Sequence, residues 1–167
     1  GFVAIDTETT SLDTMSAELV GISLSVKEDE ACYIPLGHKA QEVQGVLELT
    51  QDEIITTKGL NNLSLSLLPD QVPLEDAVEL LRPVLQDQSI LKIGQNIKFD
   101  IQVLIRYGIE VSPIDDTMLL SYAIEGGLHN HGMDSLATRL LNHMPIKFKE
   151  VVGSGKSQIT FDYVALD

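Results

Sequence analysis

Two hydrophobic periods share this chain, and the order in which they come restricts its fold more than any other feature. From Phe2 to Leu36 the apolar residues follow strand spacing. The run Phe2-Val3-Ala4-Ile5 closes on Asp6, Ile22, Leu24 and Val26 alternate within residues 19–26, and residues 31–36 are closed by Pro35 and Gly37. Three such segments joined by short turns predict an antiparallel meander. After Pro73 the period changes: Leu74, Ala77, Val78, Leu81 and Leu85 recur at helical spacing. Pro73 suits a first helical turn, and Glu75 and Asp76 favour the positive end of the helix dipole. Residues 89–93 (SILKI) then read as a buried strand. Ile97, Ile101, Leu104 and Ile105 mark a helix ending near Gly108, Ile114 leads into a helix over 117–124, and a further helix runs over about 133–141 with Asp134 as its cap. Strands first, then strands alternating with helices, predict an α/β fold with a mixed central sheet flanked by helices. Residues 38–72 have weak periodicity and read as an insertion or long loop, which is unusual in a compact domain.

The chain has 167 residues, the length of one domain. With 44% hydrophobic and 22% charged residues, wholesale disorder and low-complexity classes are excluded. No apolar run approaches the ~20 residues that span a bilayer, so a soluble protein is expected. Cys32 is the single cysteine, which rules out an internal disulfide and a thiolate zinc site and fits a reducing compartment. The sequence opens on Gly1 with neither an initiator Met nor a signal-like segment, and reads as an excised piece of something longer. Its net charge of −14 argues against a free-standing nucleic-acid binder, because backbone affinity comes from Lys and Arg neutralising phosphates. A metal-dependent nuclease remains compatible: carboxylates stand at its centre, and a larger parent can supply the cationic grip.

Asp6 and Glu8 stand two apart at the end of the first strand, so alternation sends both carboxylates to one face. Two carboxylates with waters and phosphate oxygens are the usual way to hold Mg²⁺. The same Asp-Thr-Glu-Thr-Thr-Ser stretch also reads as a solvated strand-to-turn end. In Gly94-Gln95-Asn96-Ile97-Lys98-Phe99-Asp100, a strand passes into a helix and Asn96 and Asp100 lie one turn apart on the same side. Asn96 could equally cap that helix, and Asp100 could be an ordinary surface residue.

Taken together, FVAIDTETT, NIKFD, DDTMLLSYAI and HGMDSLA resemble, in order and spacing, the 3′-5′ proofreading exonuclease domains of the bacterial DNA polymerase I family. These belong to the DEDD or DnaQ-like superfamily, with a ribonuclease H-like fold. The chain also resembles ribonuclease D at the fold level, but DTETTSL, NIKFD and GSGKSQITF point to the polymerase branch. The resemblance covers nearly the whole chain outside 38–72. It implies two divalent metal ions, Mg²⁺ or Mn²⁺ with Zn²⁺ also admissible, held by Asp6, Glu8 and Asp100, with Asp6 bridging. It further implies that Leu12 wedges against the terminal bases, that Phe148 contacts a frayed strand, and that Thr7 and Asn96 contact the substrate backbone. The implied reaction is in-line attack of a metal-activated water on the terminal phosphodiester, releasing a nucleoside monophosphate. The implied partners are the single-stranded or frayed 3′ end of DNA and a polymerase domain following in the same parent chain, in a bacterial cytoplasm near the nucleoid, with no membrane. Two alternatives stand beside this reading: a ribonuclease D-like RNA exonuclease, and a degenerate spacer or DNA-binding domain.

The family needs a fourth carboxylate, preceded four residues earlier by a Tyr that orients the attacking water. Tyr163 and Asp167 fit that spacing, but the resemblance implies that they are a decoy and that the true pair lies just beyond Asp167, the domain being cut before its third motif. Gly153-Ser-Gly-Lys-Ser157 is not a phosphate loop, because Glu150 stands where the first Gly is required. His129 and His131 read as a solvated loop, and Met118, Leu119, Tyr122 and Ala123 as core. Between residues 135 and 161, Arg139, Lys147, Lys149 and Lys156 oppose only Glu150. Beside Phe148 this cluster suits single-stranded DNA, and it suits an ordinary solvated helix end as well.

Overall fold

The structure, a computed structural model, describes residues 1–39, 67–68 and 71–166. The insertion expected over 38–72 therefore lies almost entirely outside the described residues, as does Asp167. Strands β1 (Phe2–Thr9), β2 (Leu19–Lys27) and β3 (Glu30–Pro35) are followed by α1 (Leu74–Gln86), β4 (Leu91–Gly94), α2 (Lys98–Ile105), β5 (Ile114–Asp116), α3 (Thr117–Glu125), α4 (Met133–Leu141) and α5 (Phe148–Val152). Two 3₁₀ turns, Gly155–Ser157 and Phe161–Tyr163, close the chain. The sheet runs β3-β2-β1-β4-β5, with β1, β2 and β3 antiparallel and β4 and β5 parallel to β1. The mixed sheet expected from the two periods is what forms.

β1 is central because it is flanked on both edges, and its alternation decides which way the site faces. Val3, Ile5 and Thr7 are buried on one side, while Asp6 and Glu8 project from the other. Ile5 and Ile22 pack on Ala77, Val78 and Leu85 of α1 and on Val103 and Leu104 of α2, forming one core beneath the sheet. β2 and β3 are joined by a tight hairpin in which Asp29 adopts a left-handed φ of 61°, a conformation that Asp tolerates better than most residues.

One local feature places a charge in a strand that the sequence reading expected to be buried, and two others depart from that reading. Lys92, in the strand read as buried, is itself fully buried, and its ammonium donates to the carbonyl oxygens of Asp87, Ile90 and Ser112. Three acceptors for three donors make that burial tolerable, and burial draws the Lys92 pKa down. Helix α4 is capped by Gly132 rather than by Asp134, which sits in its first turn. The residues of α3 expected in the core are not there: Leu119 is 60% exposed, Tyr122 53%, and Ala123 also faces outward. α3 follows the edge strand β5, and none of its residues is buried.

Candidate active site

Asp6 lies opposite Ser23 and Glu8 opposite Gly21, with a register shift between Glu8 and Thr9 that ends the regular ladder. The third carboxylate arrives from the far side of the sheet. After β4 the chain turns sharply, with Asn96 at a left-handed φ of 56°. The N–H groups of Asn96 and Ile97, each at 3.1 Å, donate to the carboxylate of Asp116. The same carboxylate accepts from Met118 and Leu119, so one buried Asp holds the approach to α2 and caps α3. This turn delivers Asp100, 3% exposed, into the first turn of α2.

Asp100 is then fixed by Thr7, which stands between Asp6 and Glu8 in sequence but faces the opposite side of β1. The Thr7 N–H donates to Asp100 Oδ1 at 2.9 Å and its hydroxyl donates to the same oxygen at 2.6 Å. The resemblance assigns Thr7 to substrate; in the structure both of its donors are engaged with Asp100, and it serves to orient that carboxylate.

The three carboxylates sense one another. Glu8 is pushed up to about 7, first by burial and then by the charges of Asp6 and Asp100. Asp100 rises to about 6, mainly through burial, against the lowering effect of the Thr7 hydroxyl and with a further rise from Asp6. Burial also raises Asp6. Like charges in a poorly hydrated pocket favour protons or a cation. Yet no group of three or more His, Cys, Asp or Glu among the described residues is arranged to hold a metal ion by itself. One oxygen of Asp100 is already taken by Thr7, so a cation here would need ligands beyond these three.

Next to Glu8 opens a cleft of about 290 Å³, lined by residues 7–12, Phe99, Phe148 and residues 158–161. It brings together four of the residues named from sequence, Thr7, Glu8, Leu12 and Phe148. Leu12 is 92% exposed at its edge, on a loop pinned by Arg106, which donates to the carbonyls of Thr14 and Ala17. Phe148 stacks on Phe161 with centroids 6.4 Å apart and planes 16° from parallel. Asn96 does not line the cleft. Phe99 and Phe161 do, and sequence reasoning did not single them out; Phe161 sits within the quoted GSGKSQITF block, its only signal.

Other assignments change. Arg139 belongs to no basic patch: it pairs with Glu125 at 2.6 Å and contacts His129, and these bonds push Glu125 down to about 2. Lys147, Lys149 and Lys156 are exposed on the segment that carries Phe148. His131 is not in a solvated loop. It is 4% exposed, its ring lies 3.8 Å from that of Tyr122, and its Nδ1 is 2.7 Å from the Ser121 hydroxyl. Tyr163 lies in the last 3₁₀ turn with the Lys39 ammonium 5.9 Å above its ring.

Residues 1–62 and 58–165 match a family model described as 3′-5′ exonuclease. DNA polymerase I of Rhizobium leguminosarum is 44% identical over 176 residues, covering 100% of this chain and 16% of the relative. DNA polymerase I of Pseudomonas aeruginosa is 36% identical over 168 residues, covering 99% of the chain and again 16% of the relative. The chain thus spans about a sixth of the length of these curated relatives. Among solved structures, NrnC of Brucella melitensis superposes with a TM-score of 0.57 at 22% identity, over 87% of this chain and 54% of that one. RNase D of Escherichia coli gives 0.52 at 17% identity, over 89% and 30%. At these identities the likeness is one of fold.

Proposed function

The chain belongs to the 3′-5′ exonuclease family, and from that premise we propose that it is the proofreading domain of a DNA polymerase I, removing deoxynucleotides from the single-stranded or frayed 3′ end of DNA. The observation that carries this reading is the convergence on the end of β1: Asp6 and Glu8 on one face, and Asp100 drawn to the same strand by two bonds from Thr7. The donor set, hard carboxylate oxygens with raised pKa values, fits divalent cations such as Mg²⁺ or Mn²⁺. Asp6 and Glu8 would hold them, with Asp100 contributing its oxygen not engaged by Thr7. Two such ions, when bound, supply an activated water and stabilise the leaving 3′-oxygen. The rest falls to the chain itself. Thr7 keeps Asp100 aimed, Leu12 and Phe148 flank the cleft that receives the terminal bases, and the lysines beside Phe148 meet the phosphates. The fourth carboxylate and its tyrosine are assigned beyond the described residues, as the family resemblance implies. The names of the relatives, and the chain's small share of their length, support a polymerase domain in the same polypeptide.

The full-length protein should shorten a 5′-labelled DNA oligomer only with Mg²⁺ or Mn²⁺, and Asp6→Ala should reduce the rate at least about a thousandfold. Activity of the variant within threefold of wild type would sink the assignment. Faster cleavage of an RNA oligomer of the same sequence would move the protein to the ribonuclease D-like reading. A full-length protein with no metal-dependent cleavage would leave the domain as a spacer.

A further inference from the structure

On the sheet face that carries the carboxylates, the register aligns two rows: Asp6 with Ser23 and Tyr33, and Glu8 with Gly21 and Pro35. Residues paired across antiparallel strands project to the same side, so Tyr33 shares the face of Asp6 and Glu8. Its ring does not stand above its own row but lies across Gly21. A Cβ built on Gly21 would come 2.0 Å from the Tyr33 hydroxyl oxygen and 2.2 Å from Cζ. The φ of Gly21 is not left-handed, so what glycine supplies here is room rather than backbone freedom. The Tyr33 hydroxyl therefore sits over the residue that pairs with Glu8.

That hydroxyl is held from behind. Its oxygen is 2.6 Å from Nε2 of His38, which is completely buried, and Nδ1 of His38 is 2.9 Å from the carbonyl oxygen of Val164. A carbonyl only accepts, so Nδ1 carries the imidazole proton, Nε2 offers a lone pair, and Tyr33 donates to it. Burial, and after it the charge of Glu8, raises the Tyr33 pKa and keeps the phenol protonated, consistent with this direction of donation. The His38 ring also lies 6.0 Å from that of Phe161, the residue that backs Phe148. A continuous line of contacts thus runs from beside Glu8 to the aromatic wall of the cleft.

We propose that Tyr33 is a positioning residue of the exonuclease site: laid over Gly21 and locked by His38, it fixes the setting of Glu8 and ties it to the segment bearing Phe161 and Phe148. This rests on the exonuclease reading. In the full-length protein, Tyr33→Phe keeps the ring and removes the donor. On single-stranded DNA it is expected to lower kcat about tenfold with KM within about twofold, and to weaken Mn²⁺ binding, read by titration calorimetry, about fivefold, because the ring laid over Gly21 is no longer locked by His38. Gly21→Ala changes no polar group, yet should lower kcat similarly because its Cβ evicts the hydroxyl. In a Tyr33→Ala background the same glycine substitution should cost nothing more, since the ring is gone. Melting curves confirm that each variant is folded at the assay temperature; a purely structural role would lower the melting temperature and leave kcat of the folded protein unchanged. Wild-type kcat and Mn²⁺ affinity in Tyr33→Phe, or additive losses in the double variant, would overturn the proposal while leaving the exonuclease reading standing. A wild-type protein that neither binds Mn²⁺ nor shortens DNA would overturn both.

Discussion

Glu8 and Asp100 have opposite consequences for the protein with and without a cation. Both are raised in the folded state, to about 7 and about 6, above the ordinary carboxylate range of about 4. A carboxyl raised in this way binds its proton more tightly when folded. The stability it contributes is complete below about pH 4 and is lost as pH rises through the folded pKa values. Metal-free protein is therefore expected to melt at falling temperature between about pH 4.5 and 7.5. Glu8→Gln should flatten that fall and raise the melting temperature at pH 8, because it removes one of three repelling charges without emptying any core. Mg²⁺ should restore the wild type more than the variant. A Glu8→Gln profile that runs parallel to wild type in EDTA would show instead that Glu8 is hydrated and ionised throughout. Thr7 works at the same scale. Its hydroxyl opposes the rise at Asp100, which keeps that group nearer to its ionised, ligand-competent form.

Elements meet at Asp116, whose carboxylate accepts from Asn96 and Ile97 ahead of α2 and from Met118 and Leu119 in α3. Asp116→Ala leaves four backbone donors without their acceptor, two at each helix approach. At about 1 kcal/mol or somewhat more per lost cap, the domain should lose about 2–4 kcal/mol in urea denaturation, with Asp116→Asn intermediate. A loss under about 0.5 kcal/mol would mean that water replaces the carboxylate without cost. Asp116 also shows where sequence reading stops. The elements from β1 to α4 are legible because their periods of two and 3.6 persist over enough residues to be unmistakable, and Asp6 and Glu8 are legible because alternation is local. What pairs with what is not local. Thr7 meets Asp100 across 93 positions, Tyr33 finds its space over Gly21 only once the β2–β3 register is set, and Arg139 looks cationic until Glu125 comes within reach. The stripe of Leu119 and Tyr122 reads as core because a period reports which face is apolar, not whether anything covers it.

At the scale of the molecule, the proposed function requires the site to admit one end of a polymer that the domain as a whole repels. The net charge is −14, and with Arg139 engaged by Glu125 the exposed cations on the segment bearing Phe148 are Lys147, Lys149 and Lys156. The cleft beside Glu8, about 290 Å³, is at the small end of ligand sites and suits an unpaired terminal nucleotide rather than a duplex end. A paired 3′ end must therefore open before it is cut, and a mismatch lowers that opening cost by a few kcal/mol, with each ~1.4 kcal/mol worth tenfold in rate. The full-length protein should accordingly remove a mismatched 3′ nucleotide at least about tenfold faster than a matched one. On single-stranded oligomers ending in the same two bases the difference should vanish. Leu12 is 92% exposed at the mouth of the cleft, and under the proposed function it takes up the space that a base pair would need. Leu12→Ala should slow cleavage of duplex ends more than of single strands, whereas Phe148→Ala, which removes a stacking surface, should slow both. Rates measured by quenched-flow on the four substrates separate these effects. Equal rates on matched and mismatched duplex ends would show that the end is not unpaired before the carboxylates reach it, and the cleft would then have to hold something other than a frayed strand.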